Sequence, residues 1–451
     1  MKHYLYEIRK SFDKRGYFYF ISFMLMASTF LPLVTNNVRF ITNDFWWSII
    51  WLFSLIVFKP QVFQNKLILF VILYGVIFIL ILLNTLWVNV DEGNKHQITE
   101  EWYDVLVALS VLTYFRIEQD YFRFAKLVKW IMIFIFITAV MSIVVSLMDP
   151  MYVRDLTGIA DYKLNSEVET ILSYKKYGGG DYSFASGLVC LFPILIYYFK
   201  NNHKCIIKKQ YVLIFAVVCF FALLRIQIFA NILISSFIIA FSILGTKNLK
   251  RNIIILSFVI VVILCIPMRF YTDIMIYAST WFPSNSEIHF KLNETVKFLL
   301  GNYAGSDITA RADRYPLLQK AFIANPLLGH FISGRTNDIF LGYHLYWMNK
   351  LAVYGLLGTI PFLYIIYNFI KGSLKYFDKE FTFYFSLSIF SIVVLGLMKA
   401  LAGRATWYVF FIIVPGLYYL PILRKRDKQY NNTHKNDINL QGNKWSGINE
   451  Y

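Results

Sequence analysis

The chain alternates long apolar runs with short polar stretches. A helix needs roughly 20 apolar residues to cross a hydrocarbon core. By that measure about twelve runs are candidate spans: 17–35, 42–58, 67–88, 100–115, 128–148, 182–199, 211–225, 226–244, 252–268, 345–370, 381–398 and 406–423. The fourth and seventh are short, and only a turn at Arg225, Ile226 and Gln227 divides the seventh from the eighth. The runs are continuous rather than alternating, which argues against a β-barrel. The expected fold is all-α, a polytopic transmembrane helix bundle.

Two polar stretches are long. One covers 149–181 and ends at Gly178, Gly179 and Gly180; the other covers 269–344, between the ninth and tenth helices. A compact segment of the second length usually carries function. Within it, Asp313 is placed to cap a short helix with Pro316 in its first turn. That helix would bury Leu318, Ala321 and Phe322 and stop near Asn325-Pro326. The expected organisation is an N-terminal bundle over 1–268, a large extracytoplasmic loop over 269–344, C-terminal helices over 345–423 and a solvated, disordered tail over 424–451. Lys2, Arg9, Lys10, Lys14 and Arg15 precede a run without a small-residue cleavage site, so the first helix reads as retained.

Composition strengthens this reading. The 451 residues are 58% hydrophobic, 19% aromatic and only 16% charged. Soluble domains run near 45–50% apolar and about 25% charged. A set of soluble domains is thereby excluded. The formal charge of +17 would suit a nucleic-acid binder, but the cations are placed otherwise. With a cytoplasmic N-terminus, the inside segments 1–16, 59–66, 116–127, 200–210, 245–251, 371–380 and 424–451 hold most of the Lys and Arg. That is the positive-inside pattern, and an even number of helices puts both termini in the cytoplasm. No nucleic-acid partner is expected. Cys190, Cys219 and Cys265 lie in apolar runs and Cys205 in a basic loop, with no CxxC pair, so neither a metal site nor a structural disulfide is expected.

Candidate chemistry lies mainly on the outer side, where topology would otherwise thin out cations. Arg311, Arg314, Lys320 and Arg335 fall in the large loop, Arg225 at a helix boundary, and Lys399 and Arg404 beside the last helix. Arg225 has two readings, a snorkelling side chain at the interface or an anion site facing the bundle interior. Guanidinium forks hold phosphate oxygens in bidentate pairs and stay charged at all relevant pH. Arg311 and Arg314, at i and i+3, share one face of a helix. His344 lies where the large loop enters the tenth helix, either as a structural residue or as a general base near neutral pH. There is no GxxxxGK[ST], HExxH, DxD or GxSxG motif, so no metal and no cofactor is expected. Acids inside the helices read as nearly absent and no internal repeat is visible, which disfavours an ion-coupled transporter.

RADRYPLLQKAFIANPLLGH (311–330) followed by GYHLYWMNKLAVYGLLGTIPF (342–362) resembles the core of the O-antigen polymerase (Wzy-type) and O-antigen ligase superfamily. The matching positions are Arg311, Tyr315, Asn325-Pro326, Gly329, His344 and the Gly355/Gly358 pair, with Arg225 at the outer end of a middle helix. Leu345 stands where ligase-like members often carry Asn, and Leu224 where Ser or Thr usually precedes the arginine. Both departures favour the polymerase.

The resemblance implies a GT-C-like, metal-independent glycosyltransferase of the cell inner membrane. It would join undecaprenyl-diphosphate-linked glycan to an incoming lipid-linked repeat unit at the periplasmic face. Arg225, Arg311, Arg314 and Arg335 would bind the diphosphate, and Arg311 and His344 would be catalytic. A flippase and a chain-length regulator of the same pathway would be partners, and membrane lipids its surroundings. A ligase that uses lipid A–core as acceptor is the near alternative. A non-enzymatic flippase of lipid-linked oligosaccharide is the second, and a small-anion transporter the third.

Overall fold

A computed structural model describes residues 13–38, 44–85, 92–148, 176–201, 208–226, 228–244, 268–284, 287–300, 307–329, 345–399, 401 and 403–424. Among the described residues the chain is all-helical, without strands. In chain order the helices are α1 (Lys14–Phe30), α2 (Asp44–Phe58), α3 (Lys66–Thr85), α4 (Glu92–Ile117), α5 (Tyr121–Met148), α6 (Tyr182–Lys200), α7 (Lys209–Ile226) and α8 (Phe229–Leu244). They continue as α9 (Met268–Ser279), α10 (Glu287–Leu299), α11 (Asp307–Ala324), α12 (Tyr346–Leu374), α13 (Lys379–Met398) and α14 (Arg404–Arg424).

Helices lie over every expected span except 252–268, of which residues 252–267 fall outside the described residues. Six are long and apolar enough to cross a membrane: α5, α6, α7, α12, α13 and α14. Asp44–Phe58, Lys66–Ile77 and Ala230–Leu244 are shorter apolar helices. The boundaries follow local chemistry. Leu31, forced out of helical geometry by the following Pro32, ends α1. Asp181 caps α6 by accepting from the Phe184 N–H at 2.8 Å, and Asp378 caps α13 by accepting from the Phe381 N–H at 2.7 Å.

The centre of the bundle is the pair α6 and α14. In each, more than four-fifths of the most apolar stretch is buried, 89% and 83%. Lipid tails give helices no hydrophobic reason to associate, so close packing and interhelical hydrogen bonds do that work. Gly187 of α6 lies against Val409 of α14; a Cβ there would sit 2.9 Å from the valine Cγ2. The first turn of α14 is tied to α6, where Thr406 N donates to Ser183 Oγ at 3.1 Å and Thr406 Oγ1 donates to the Ser183 carbonyl at 2.9 Å. Over Val409–Ile413 α14 widens into a π-helical stretch. Around this pair, Trp51 of α2 donates to Ser110 of α4 at 2.7 Å, and Thr138 of α5 donates to the Phe30 carbonyl of α1 at 2.7 Å.

The two ends of the bundle differ. At one, Lys59 pairs with Glu118 and Arg123 with Asp120 and Asp13; Arg116, Lys200 and Lys375 lie at the same end. At the other, α5, α7 and α13 end, α14 begins, and α11 packs against α12. The second end holds the candidate site.

Candidate functional site

The site is built on a break in α12. Gly355 has φ 60° and ψ −167°, so the helix is interrupted there and the N–H groups just beyond it lose their intrahelical acceptors. The segment after α11 supplies replacements. Leu356 N donates to the Pro326 carbonyl at 2.8 Å, and Leu357 N donates to the Leu327 carbonyl at 3.0 Å. Gly329 N closes this turn on the Asn325 carbonyl at 2.9 Å. Below it, the Tyr74 hydroxyl of α3 donates to the Gly358 carbonyl at 3.0 Å. The Asn-Pro, the following glycine and the later glycine pair, separate in the sequence, thus form one backbone clasp.

Helix α11 is seated by the same region. Leu318 and Ala321 are buried, Phe322 is half-buried, and the Tyr315 hydroxyl donates to the Leu397 carbonyl at the end of α13 at 2.7 Å. The helix ends at Ala324, before Asn325-Pro326, as the sequence suggests. Its start differs from expectation. It begins at Asp307, so Asp313 and Pro316 lie inside it rather than at its N-terminus. A proline removes one backbone donor without forbidding the helix around it, and Ala310, Arg311, Ala312 and Arg314 all favour continuation.

Behind the clasp lie buried ions. Lys350 of α12 is 5% exposed; its Nζ is 2.7 Å from Glu101 Oε2 and 3.1 Å from the Tyr346 hydroxyl. The ammonium also lies 3.8 Å from the Phe362 ring centroid and 5.1 Å from that of Tyr354, where ring quadrupoles favour a cation. One helical turn along α4, Asp104 is 3% exposed and accepts from Arg404 Nε at 2.5 Å. Arg404 also pairs with Asp44 at the start of α2. Glu101 and Asp104, at i and i+3, thus present one acidic face of α4 to cations from α12 and α14. These two acids, on a helix that is not among the six apolar enough to cross a membrane, were not singled out from the sequence. Glu101 and Asp104 stand in the polar stretch EEWYD, at the start of the expected span 100–115. The available signal was the i, i+3 acid spacing, together with two cations, Lys350 and Arg404, lacking any acid nearby in sequence.

The residues singled out from the sequence are placed as follows. Arg225, at the end of α7, is half-buried; its Nε donates to Ser146 Oγ at 3.1 Å and its Nη2 to the Ser146 carbonyl at 3.0 Å. It therefore ties α7 to the C-terminal turn of α5, where a cation is favoured by the helix dipole. Arg311 and Arg314 lie one turn apart on α11; Arg314 is half-buried and the Arg311 side chain lies outside what the structure describes. Arg335 and His344 fall outside the described residues. Lys320 is exposed on α11. Lys399 offers its carbonyl to Tyr346 N at 3.2 Å, and its ammonium lies 5.9 Å from the Tyr182 ring centroid. Among the described residues no group of three or more His, Cys, Asp or Glu side chains is placed to hold a metal.

Fold and site together define a helical protein with six helices long and apolar enough to cross a membrane, carrying a backbone clasp and a buried ionic layer near one end of its bundle. Compared with protein-family models, curated proteins and solved structures, the chain finds no match.

Proposed function

We propose that the chain is a polymerase of O-antigen or another surface polysaccharide, acting at the periplasmic face of the cytoplasmic membrane. The observation that carries this reading is the clasp. The two stretches on which the superfamily resemblance rests, 311–330 and 342–362, meet through Pro326, Leu327, Gly329 and Gly355. The clasp holds α11, and with it Arg311 and Arg314, against the end of the bundle.

In the proposed reaction the hydroxyl oxygen at the non-reducing end of an incoming lipid-linked unit attacks C1 of the growing glycan. A new glycosidic C–O bond forms. The bond from C1 to the diphosphate oxygen breaks, and undecaprenyl diphosphate leaves with the electron pair. Arg225, Arg311, Arg314 and Arg335 stabilise the charge growing on that diphosphate. His344 accepts the hydroxyl proton. A GT-C-like bundle of about twelve helices with both termini cytoplasmic belongs to the same reading.

The flippase alternative would use cations within the helices, and Lys350 and Arg404 are such cations. Each, however, is matched by a carboxylate, Glu101 for one and Asp104 with Asp44 for the other, which leaves no net positive lining at those positions. The deciding experiment is deletion of the gene in its host, with surface glycans resolved by size. The polymerase reading expects a single attached repeat unit without long chains, restored to a full ladder by the wild-type chain but not by Arg311→Ala or His344→Ala. Loss of all attachment with accumulating lipid-linked polymer would indicate the ligase, and an unchanged ladder would exclude both enzymes.

A further inference from the structure

Two cations held inside this bundle are each matched by a carboxylate. Lys350 has Glu101, and Arg404 has Asp104 and Asp44. Arg116, at the basic end of α4, has no carboxylate partner among the described residues. Its Nη2 donates to Ser373 Oγ at 3.1 Å, its guanidinium lies 4.8 Å from the Tyr376 ring centroid, and its Nε is buried without a hydrogen bond. The nearby acid Glu118 is taken by Lys59 and Arg15.

Arg116 lines a cleft of about 530 Å³ between α3, α4 and α12. Two exposed lysines, Lys66 and Lys375, join it there. The rest of the wall changes character along its length, with apolar Phe70, Leu109 and Leu112 beside the cations. Three cations and no acid line this cleft. That is the chemistry of a site for a phosphate attached to something apolar, and basic pockets between transmembrane helices commonly hold anionic lipid headgroups.

We propose that this cleft holds one anionic phospholipid, its phosphate against Arg116, Lys66 and Lys375 and an acyl chain along Phe70, Leu109 and Leu112. The proposal does not depend on the polymerase reading, since it concerns the opposite end of the bundle. Free inorganic phosphate shares the headgroup chemistry but would leave the apolar wall unused.

Gly372 supplies a clean test. It lines the cleft, and a Cβ added there meets nothing within 4 Å, so Gly372→Trp should fill the space without disturbing the bundle. The full-length protein in neutral detergent would be titrated with phosphatidylglycerol or phosphatidylcholine, and retained lipid counted by native mass spectrometry. The wild type should retain one phosphatidylglycerol and release phosphatidylcholine. Gly372→Trp, and separately the Lys66→Ala/Lys375→Ala pair, should weaken that retention by about tenfold or more. Equal retention of the two lipids, or wild-type retention in Gly372→Trp, would overturn the proposal. Competition by millimolar inorganic phosphate would reassign the site to the free anion and overturn the lipid assignment.

Discussion

Gly329 and Gly355 meet backbone to backbone. A Cβ on Gly329 would lie 2.3 Å from the Val353 carbonyl oxygen, and one on Gly355 2.4 Å from that of Leu327. Both residues have positive φ, 67° and 60°. Gly355→Ala or Gly329→Ala therefore meets conformational strain and a clash with main chain, neither of which side-chain movement relieves. Each should cost at least about 1–3 kcal/mol, visible as a lower thermal midpoint in detergent and as faster proteolysis after Ala324. Gly372→Ala in the same helix should be neutral or slightly stabilising, since Gly372 has ordinary helical geometry and open space.

The Lys350–Glu101 pair lends itself to a double-mutant cycle. Removing one partner leaves the other charge buried, so Lys350→Met or Glu101→Leu alone should destabilise by about 3–5 kcal/mol. The combined Lys350→Met/Glu101→Leu chain should recover much of that loss. Additive losses would mean that the two ions do not share one environment.

Arg225 separates its structural tie from its proposed chemistry through Ser146. Ser146→Ala removes the hydroxyl acceptor but leaves the carbonyl acceptor and the guanidinium. It should lower stability by about 1 kcal/mol and leave polymer length unchanged. Arg225→Ala should abolish long chains at normal protein level. If both substitutions leave the ladder intact, Arg225 is a tie between helices and nothing more.

Orientation is open to a labelling experiment in a cysteine-free background. Lys320 on α11 and Lys375 after α12 are both exposed and lie at opposite ends of the bundle. A membrane-impermeant maleimide should label Lys320→Cys in intact spheroplasts and Lys375→Cys only after permeabilisation. The reverse pattern would place the clasp in the cytoplasm and remove the basis for a periplasmic reaction.

Helix positions were legible in the sequence because they depend on local quantities. Apolar run length located α5, α6 and α13, but it carried the first span through Pro32 to residue 35, where the long helix stops at Phe30. What the sequence hid depends on partners far along the chain. Nothing near Glu101 announces Lys350, 249 positions away, so this buried ion pair was not visible in the sequence. The glycine pair in 355–358 was visible as a motif, but its meaning, a helix break closed by carbonyls from residues 326 and 327, needed the fold. Pro316 misled for a related reason. A proline near the start of a polar helix usually marks its first turn, and here the helix extends nine residues before it.

The π stretch at Val409–Ile413 has a consequence for sequence comparison. A π turn takes up about one more residue than an α turn. The two halves of α14 are therefore out of phase, as if one residue had been inserted and the rest of the cylinder rotated to accommodate it. Arg404 and Thr406 keep their partners on α4 and α6, while Leu417 keeps its carbonyl bond to the Tyr198 hydroxyl on the other side of that offset. Any relative lacking the extra residue should align with α14 only across a single-residue gap inside this window, the one place where a gap in a buried helix would be tolerated.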